Sequence, residues 1–195
     1  MVDASLAPGF LIASPPLGDP NFERTVVLLG LHGPSGALGF VINRVAPLKL
    51  GDVMGLAGYG PTPSAAAGAV LVGGPVEPGS GWVLSGDASP ASDVPGAIEL
   101  STDVSISSSR SVFDALARDL ETPPATLGKR LIILGYSGWG PGQLEGEIAH
   151  GSWLPAPFDA KVLFDVDVGQ RWEAAFALLG VSPAMSMGMR IVGNA

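Results

Sequence analysis

The 195-residue chain contains no cysteine, which excludes a disulfide framework and any thiolate-held zinc or iron–sulfur centre. Charge is also scarce. Asp, Glu, Lys and Arg make up 14% of the residues against 47% apolar, so a disordered, self-repelling chain is excluded as well. Basic residues are the rarer sign, 10 against 18 acidic, for a net charge of −8. That balance argues against a general nucleic-acid binder. Long hydrophobic runs are missing too. Val26–Leu31, interrupted by Gly30, falls far short of the ~20 residues that span a bilayer. No basic residue precedes Arg24, and the apolar run Phe10–Ala13 is too short for a signal-peptide core of about 7–15 residues. These absences predict a cytoplasmic protein with no membrane association.

Glycine and proline, at 28 and 18 residues, cut the apolar content into short pieces. Gly9–Ala13 reads as a strand ended by Ser14-Pro15-Pro16, because proline cannot donate to a ladder. Arg24–His32 and Gly36–Asn43 read as two strands joined by a hairpin turn at Gly33-Pro34-Ser35-Gly36. The unbroken run Val26–Leu29 predicts a strand covered on both faces, with helices packed on the sheet. Ala69–Gly73, Gly81–Leu84, Lys129–Tyr136 and Lys161–Phe164 are further expected strands.

Three helices follow from spacing. Ser109–Leu120 carries Val112, Leu116 and Leu120 on one stripe, with Pro123-Pro124 beyond its end. Pro141–His150 has proline in its first turn and Leu144 with Ile148 at i,i+4, and Gly151 stops it. The third begins at Asp167, a predicted N-cap with Gln170 three residues on. Its stripe is Trp172, Phe176 and Leu179, and Gly180 closes it. A shorter turn of helix is expected within Leu48–Gly55, and the small-residue stretch Gly55–Gly68 reads as a loop. Strands come mostly before helices without regular alternation, which predicts α+β rather than a doubly wound sheet.

The chemistry-bearing patterns are few. Gly135-Tyr136-Ser137-Gly138-Trp139 sits between a strand and a helix, the setting of a nucleophile elbow, but tryptophan replaces the final glycine. His150 follows Ser137 just beyond the helix that carries Glu145 and Glu147, which is poor placement for a triad drawn from separated elements. Ser137 is therefore expected to be structural. With His32 and His150 as the sole histidines, no metal site and no cofactor are predicted. The glycines at 33, 36 and 39 match neither a dinucleotide fingerprint nor a Walker loop.

The run FLIASPPLGDPNFERTVVLLGLHGPSGALGFVINR at Phe10–Arg44 resembles the opening of the YqgE/AlgH family. The resemblance recurs at Val72–Leu84, Leu134–Trp153 and Leu163–Gly180, so it runs through nearly the whole chain in order. Val45 stands where many members have proline, and Ser85 where many have histidine. The resemblance implies an α+β fold with a mixed, strongly bent and partly barrel-like sheet surrounded by helices, in a single domain over residues 1–195. It implies no established reaction, and some members are described as transcriptional regulators.

Together these readings predict a non-enzymatic protein that binds another protein or a small molecule, with an indirect regulatory role and no direct contact to nucleic acid. The alternative is a small hydrolase acting on a small or phosphorylated molecule. The expected binding surface is the set of motif-bearing turns: Asp19, Asn21, Arg24, His32 and Asn43, then Gly73, Gly74 and Pro75, then Trp139 and Gln143. The same residues could instead serve to fix turns and strand ends. Arg24, next to a buried run, is expected to meet a carboxylate or carbonyl groups.

Overall fold

The computed structural model describes residues 5–15, 17–60, 68–86, 94–122 and 127–184. In chain order the elements are β1 (Gly9–Ala13), β2 (Val26–Gly33), β3 (Gly36–Val41), β4 (Val45–Lys49), α1 (Leu50–Leu56), β5 (Ala69–Val72), β6 (Val76–Ser85), β7 (Ile98–Ser101), β8 (Val104–Ser107) and α2 (Arg110–Glu121). They continue with β9 (Arg130–Trp139), α3 (Gln143–Ala149), β10 (Trp153–Pro157), α4 (Ala160–Phe164) and α5 (Arg171–Leu178). The architecture is α+β. Strands pair antiparallel except β5, which lies parallel to β9, so the pairing is mixed. No pairing among the described residues closes the strands into a barrel. The chain divides into two compact units, one of Met1–Arg44 with Ser137–Ala195 and one of Val45–Tyr136.

In the first unit the strand order is β10-β1-β2-β3, followed by the last residues of β9. All of β1 and the first five residues of β2 are buried, as a run covered on both faces requires. Side chains alternate across a strand. Leu11, Ala13, Val27, Leu29 and Val41 therefore share one face, which packs with Trp139, Leu144 and Trp153. The other face is covered by α5, whose Trp172 donates its indole N–H to the Ala13 carbonyl at 3.1 Å. Strand β10 lies at an edge and carries Pro155 and Pro157, which have no N–H to offer a further strand.

In the second unit the order is β4-β5-β9-β6-β8-β7. Leu116 and Leu120 of the predicted α2 stripe are buried with Phe113, against Leu50, Val53 and Met54 of α1 and the strand residues Val70, Val83 and Ile132.

Gly36 and Gly135 combine a positive φ with a close approach of backbone. A Cβ on Gly36 (φ +118°) would lie 2.2 Å from the Trp139 carbonyl oxygen. One on Gly135 (φ +69°) would lie 2.8 Å from the Gly74 oxygen and 2.9 Å from that of Val76.

Several expectations are corrected. Lys161–Phe164 is helix α4 rather than a strand. Asp159 caps it by accepting the Lys161 N–H at 2.9 Å, and four apolar-rich residues carry too little periodicity to tell the two apart. Asp167 does not cap the third helix with its side chain. A 3-10 turn, Val168–Gln170, intervenes before α5, although Gly180 closes it with φ +70° as expected. Strand β9 runs on through Ser137 to Trp139, and β4, β7, β8 and β10 are strands beyond those expected from the sequence. Pro16, Pro123-Pro124 and the middle of the Gly55–Gly68 loop lie outside the described residues.

Candidate functional site

Seven of the predicted surface residues fall in the first unit, around the turn before β2 and around α3. The turn is built by Asp19, whose Oδ1 accepts the Asn21 N–H at 2.8 Å. The Asp19 carbonyl accepts from Phe22 and Glu23 at 2.9 and 2.7 Å. Asn43 fastens the end of the turn. Its amide donates to the Arg24 carbonyl at 2.8 Å while its Oδ1 accepts the Val26 N–H at 2.9 Å. Arg24 itself holds φ +52°, a left-handed conformation that is uncommon for a residue with a side chain. Its guanidinium stacks 4.4 Å from the Trp172 ring centre and donates to Glu173 at 2.9 Å. The expected carboxylate is there, on α5, but the Arg24 side chain is 62% exposed.

The turn delivers Phe22 onto a pair of tryptophans. Its ring lies 5.3 Å from that of Trp153 and 6.4 Å from that of Trp139, and the two indoles meet edge-on at 6.0 Å. Buried indole N–H groups need an acceptor, and α3 supplies one. Glu147 Oε2 accepts from Trp139 at 2.9 Å and from Trp153 at 2.7 Å. Its Oε1 accepts from the Gln143 amide at 2.9 Å, and Gln143 Oε1 in turn accepts the Gly140 N–H at 3.0 Å. Trp139 and Gln143 are thus parts of one internal network, with Trp139 buried and Gln143 exposed.

His32, at the end of β2, is gripped from two sides. Its Nδ1 accepts the Leu6 N–H at 3.1 Å, so the ring proton resides on Nε2, which donates to Glu145 at 3.0 Å. Glu145, in the first turn of α3, is held below the ordinary carboxylate range, first by its own backbone N–H and then by His32.

Gly73, Gly74 and Pro75 belong to the second unit. The Gly73 N–H donates to the Leu134 carbonyl at 2.7 Å, and a Cβ there would strike the Gly135 oxygen at 2.4 Å. This turn is a tight crossing against β9, with the Gly73 amide turned to Leu134.

The groups weighed for hydrolysis are built into the framework. Ser137 is 1% exposed within β9 and pairs in register with Gly39, not at a strand-to-helix elbow. His150 places Nδ1 2.6 Å from the carbonyl of Gly146 on its own helix. No group of three or more potential metal ligands occurs among the described residues.

Two networks join partners that spacing does not reveal, save for Arg110 and Asp114 at i,i+4 on α2. Buried Arg171 donates to the carbonyls of Val166, Ile42 and Leu163 at 3.2, 2.5 and 2.6 Å, tying α4 and α5 to the end of β3. Burial lowers its pKa to about 10, against a raising influence of Asp167. In the second unit the Tyr59 hydroxyl donates to Asp114 at 2.6 Å. Arg110 stacks on the Tyr59 ring and donates to both Asp114 and the Ala57 carbonyl. The Tyr59 bond is the foremost reason that the Asp114 carboxyl sits below its ordinary value.

Comparison with known proteins places this arrangement among relatives that span nearly the whole chain. A protein of Anaeromyxobacter sp. (strain K) named "UPF0301 protein" is 42% identical over 186 residues, covering 93% of this chain and 91% of its own. One of the same name from Myxococcus xanthus is 42% identical over 184 residues, covering 93% and 94%. The solution structure of the AlgH protein from Pseudomonas aeruginosa superposes with a TM-score of 0.75 at 36% identity, over 95% of this chain and 94% of that one. A crystal structure from Corynebacterium diphtheriae, 21% identical, shares the fold with a TM-score of 0.65 over 88% and 85% of the two chains. The family model described as AlgH-like matches residues 10–184, and with it the chain belongs to the AlgH-like family.

Proposed function

We propose that this chain is a non-enzymatic, cytoplasmic binding protein that exerts a regulatory effect through another protein rather than through DNA. The observation that carries this reading is the exposure of large apolar side chains on the consecutive elements β4 and α1. Val45, Leu48 and Leu56 are 60%, 39% and 80% exposed, and among the described residues the other strongly exposed large apolar side chain is Leu31, at the end of β2. Exposed apolar side chains of this size, rimmed by polar residues, suit a protein contact. With 18 acidic against 10 basic residues, the fitting partner is a protein with an apolar patch set in a basic rim. Asp19, Asn21, Arg24 and Gln143 are exposed and make a polar surface of the first unit. We include them as a secondary contact region.

The engagement of Ser137, His32 and His150 within the framework favours binding over hydrolysis, and the acidic balance opposes phosphate contact. The experiment has two arms. Anisotropy of a labelled duplex at ~0.15 M salt should show no saturable binding in or below the ~10⁻⁴–10⁻⁶ M range of non-specific binders. A screen of ester and phosphate-ester substrates should give no turnover that Ser137→Ala abolishes. Salt-sensitive, saturable duplex binding, or activity lost in a folded Ser137→Ala protein, would overturn the proposal.

A further inference from the structure

We propose that His32 is an acid-sensitive latch for the N-terminal strap, holding residues 5–8 closed while its Nδ1 is unprotonated and releasing them when that nitrogen gains a proton. Three contacts fasten the strap to β2 and α3. The Leu6 N–H donates to His32 Nδ1 at 3.1 Å, the Ser5 hydroxyl donates to the His32 carbonyl at 3.3 Å, and the Leu6 side chain packs against the cluster holding Trp139 and Trp153. The Leu6 amide can only donate, so Nδ1 can serve it only as an acceptor. An imidazolium has two N–H donors and no acceptor. Protonation therefore sets two N–H groups against each other beside a side chain that is only 6% exposed, and both lose a partner.

The opposing effect comes from Glu145, which accepts from Nε2 at 3.0 Å and gains strength as a partner once the ring is charged. Glu145 is 47% exposed, so solvent screens that gain. Its carboxyl is held low, chiefly by its own backbone N–H, so it faces the ring as a carboxylate. The ring is thus kept in place on α3 while the strap is dismissed. Other ionisable groups nearby are committed elsewhere: Glu147 to the two indoles and His150 to the Gly146 carbonyl. The β2–β3 hairpin from Val26 to Val41 carries no further ionisable residue, nor do residues 5–8, and Asp3 lies outside the described residues. The sign follows directly. Strap closure is present with neutral His32 and is lost once Nδ1 carries a proton.

The test is a pH series on the isotope-labelled full chain from about pH 7.5 to about pH 5. Imidazole resonances of His32 are followed together with the hydrogen-exchange protection factor of the Leu6 amide, corrected for the intrinsic pH dependence of exchange. Leu6 protection should fall by roughly tenfold with the same midpoint as His32, while Leu11 and Val27 stay protected. His32→Gln, whose side-chain oxygen can still accept from Leu6, should make Leu6 protection independent of pH. If that variant does not fold, Glu145→Gln serves instead. Losing the anion that favours the imidazolium should move both midpoints together to lower pH. Leu6 protection that stays constant while His32 titrates, or that falls with a midpoint unrelated to His32, would overturn the proposal.

Discussion

Trp139 and Trp153 donate their indole N–H groups to one and the same atom, Oε2 of Glu147, at 2.9 and 2.7 Å. The pairing explains why two tryptophans flanking a short helix are buried, rather than displayed as partner anchors. Glu147→Leu should strand both donors and cost about 2–4 kcal/mol, whereas Glu147→Gln, which keeps one acceptor oxygen, should cost less. Urea unfolding checks this: the midpoint should drop with little change in slope.

Arg171 is the counterpart of that network on the other face of the β1–β2 strands. Arg171→Met removes the donor to three carbonyls at once and should cost about 3 kcal/mol or more. Arg171→Lys should be nearly as harmful, because an ammonium on a flexible stem does not span the same three acceptors. Thermal unfolding of both variants decides between this role and an incidental burial, for which lysine would suffice.

Arg24 should matter less than its charge suggests. Its ion pair with Glu173 is solvated on both sides, so Arg24→Ala should lower stability by no more than about 1 kcal/mol, a few degrees in a chain of this size. Arg24→Gly should be better tolerated than Arg24→Val, since glycine accepts φ +52° and a β-branched residue resists it. A ranking with valine best would contradict the left-handed turn.

Asp114 predicts the acid response of the second unit. Its folded pKa is lowered, foremost by the Tyr59 hydroxyl, so it contributes stability that is present above the unfolded carboxylate value of about 3.9. That contribution is lost as pH falls through the lower folded value. Tyr59→Phe removes the main cause and should make the decline of stability between about pH 5 and about pH 2 shallower. An unchanged slope would assign the acid response to other carboxylates.

Much of the framework was legible because it follows from local rules. Val26–Leu29 reads as a strand covered on both faces, and Leu116 with Leu120 as a stripe that faces a core. Asp19 and Asn43 read as turn and strand-end residues for the same reason: short polar side chains bond nearby backbone. What stayed hidden depends on partners distant in sequence. Arg171 meets Ile42, and His32 meets Leu6 and Glu145, across separations that no spacing pattern records. Pro155 and Pro157 masked β10, since proline argues against a central strand while suiting an edge. The αL state of Arg24 has no sequence mark at all.

Whether β4 and α1 receive a partner protein is decided by site-specific photo-cross-linking. A photoreactive residue is placed at Leu48, whose side chain is 39% exposed, in the otherwise unaltered chain inside its own cells. One discrete adduct with a second protein carrying a basic, apolar surface is expected. That adduct should be lost when Leu56→Glu is added and kept when Asn21→Ala is added. Absence of any adduct, an adduct with nucleic acid, or an adduct indifferent to Leu56→Glu would contradict it.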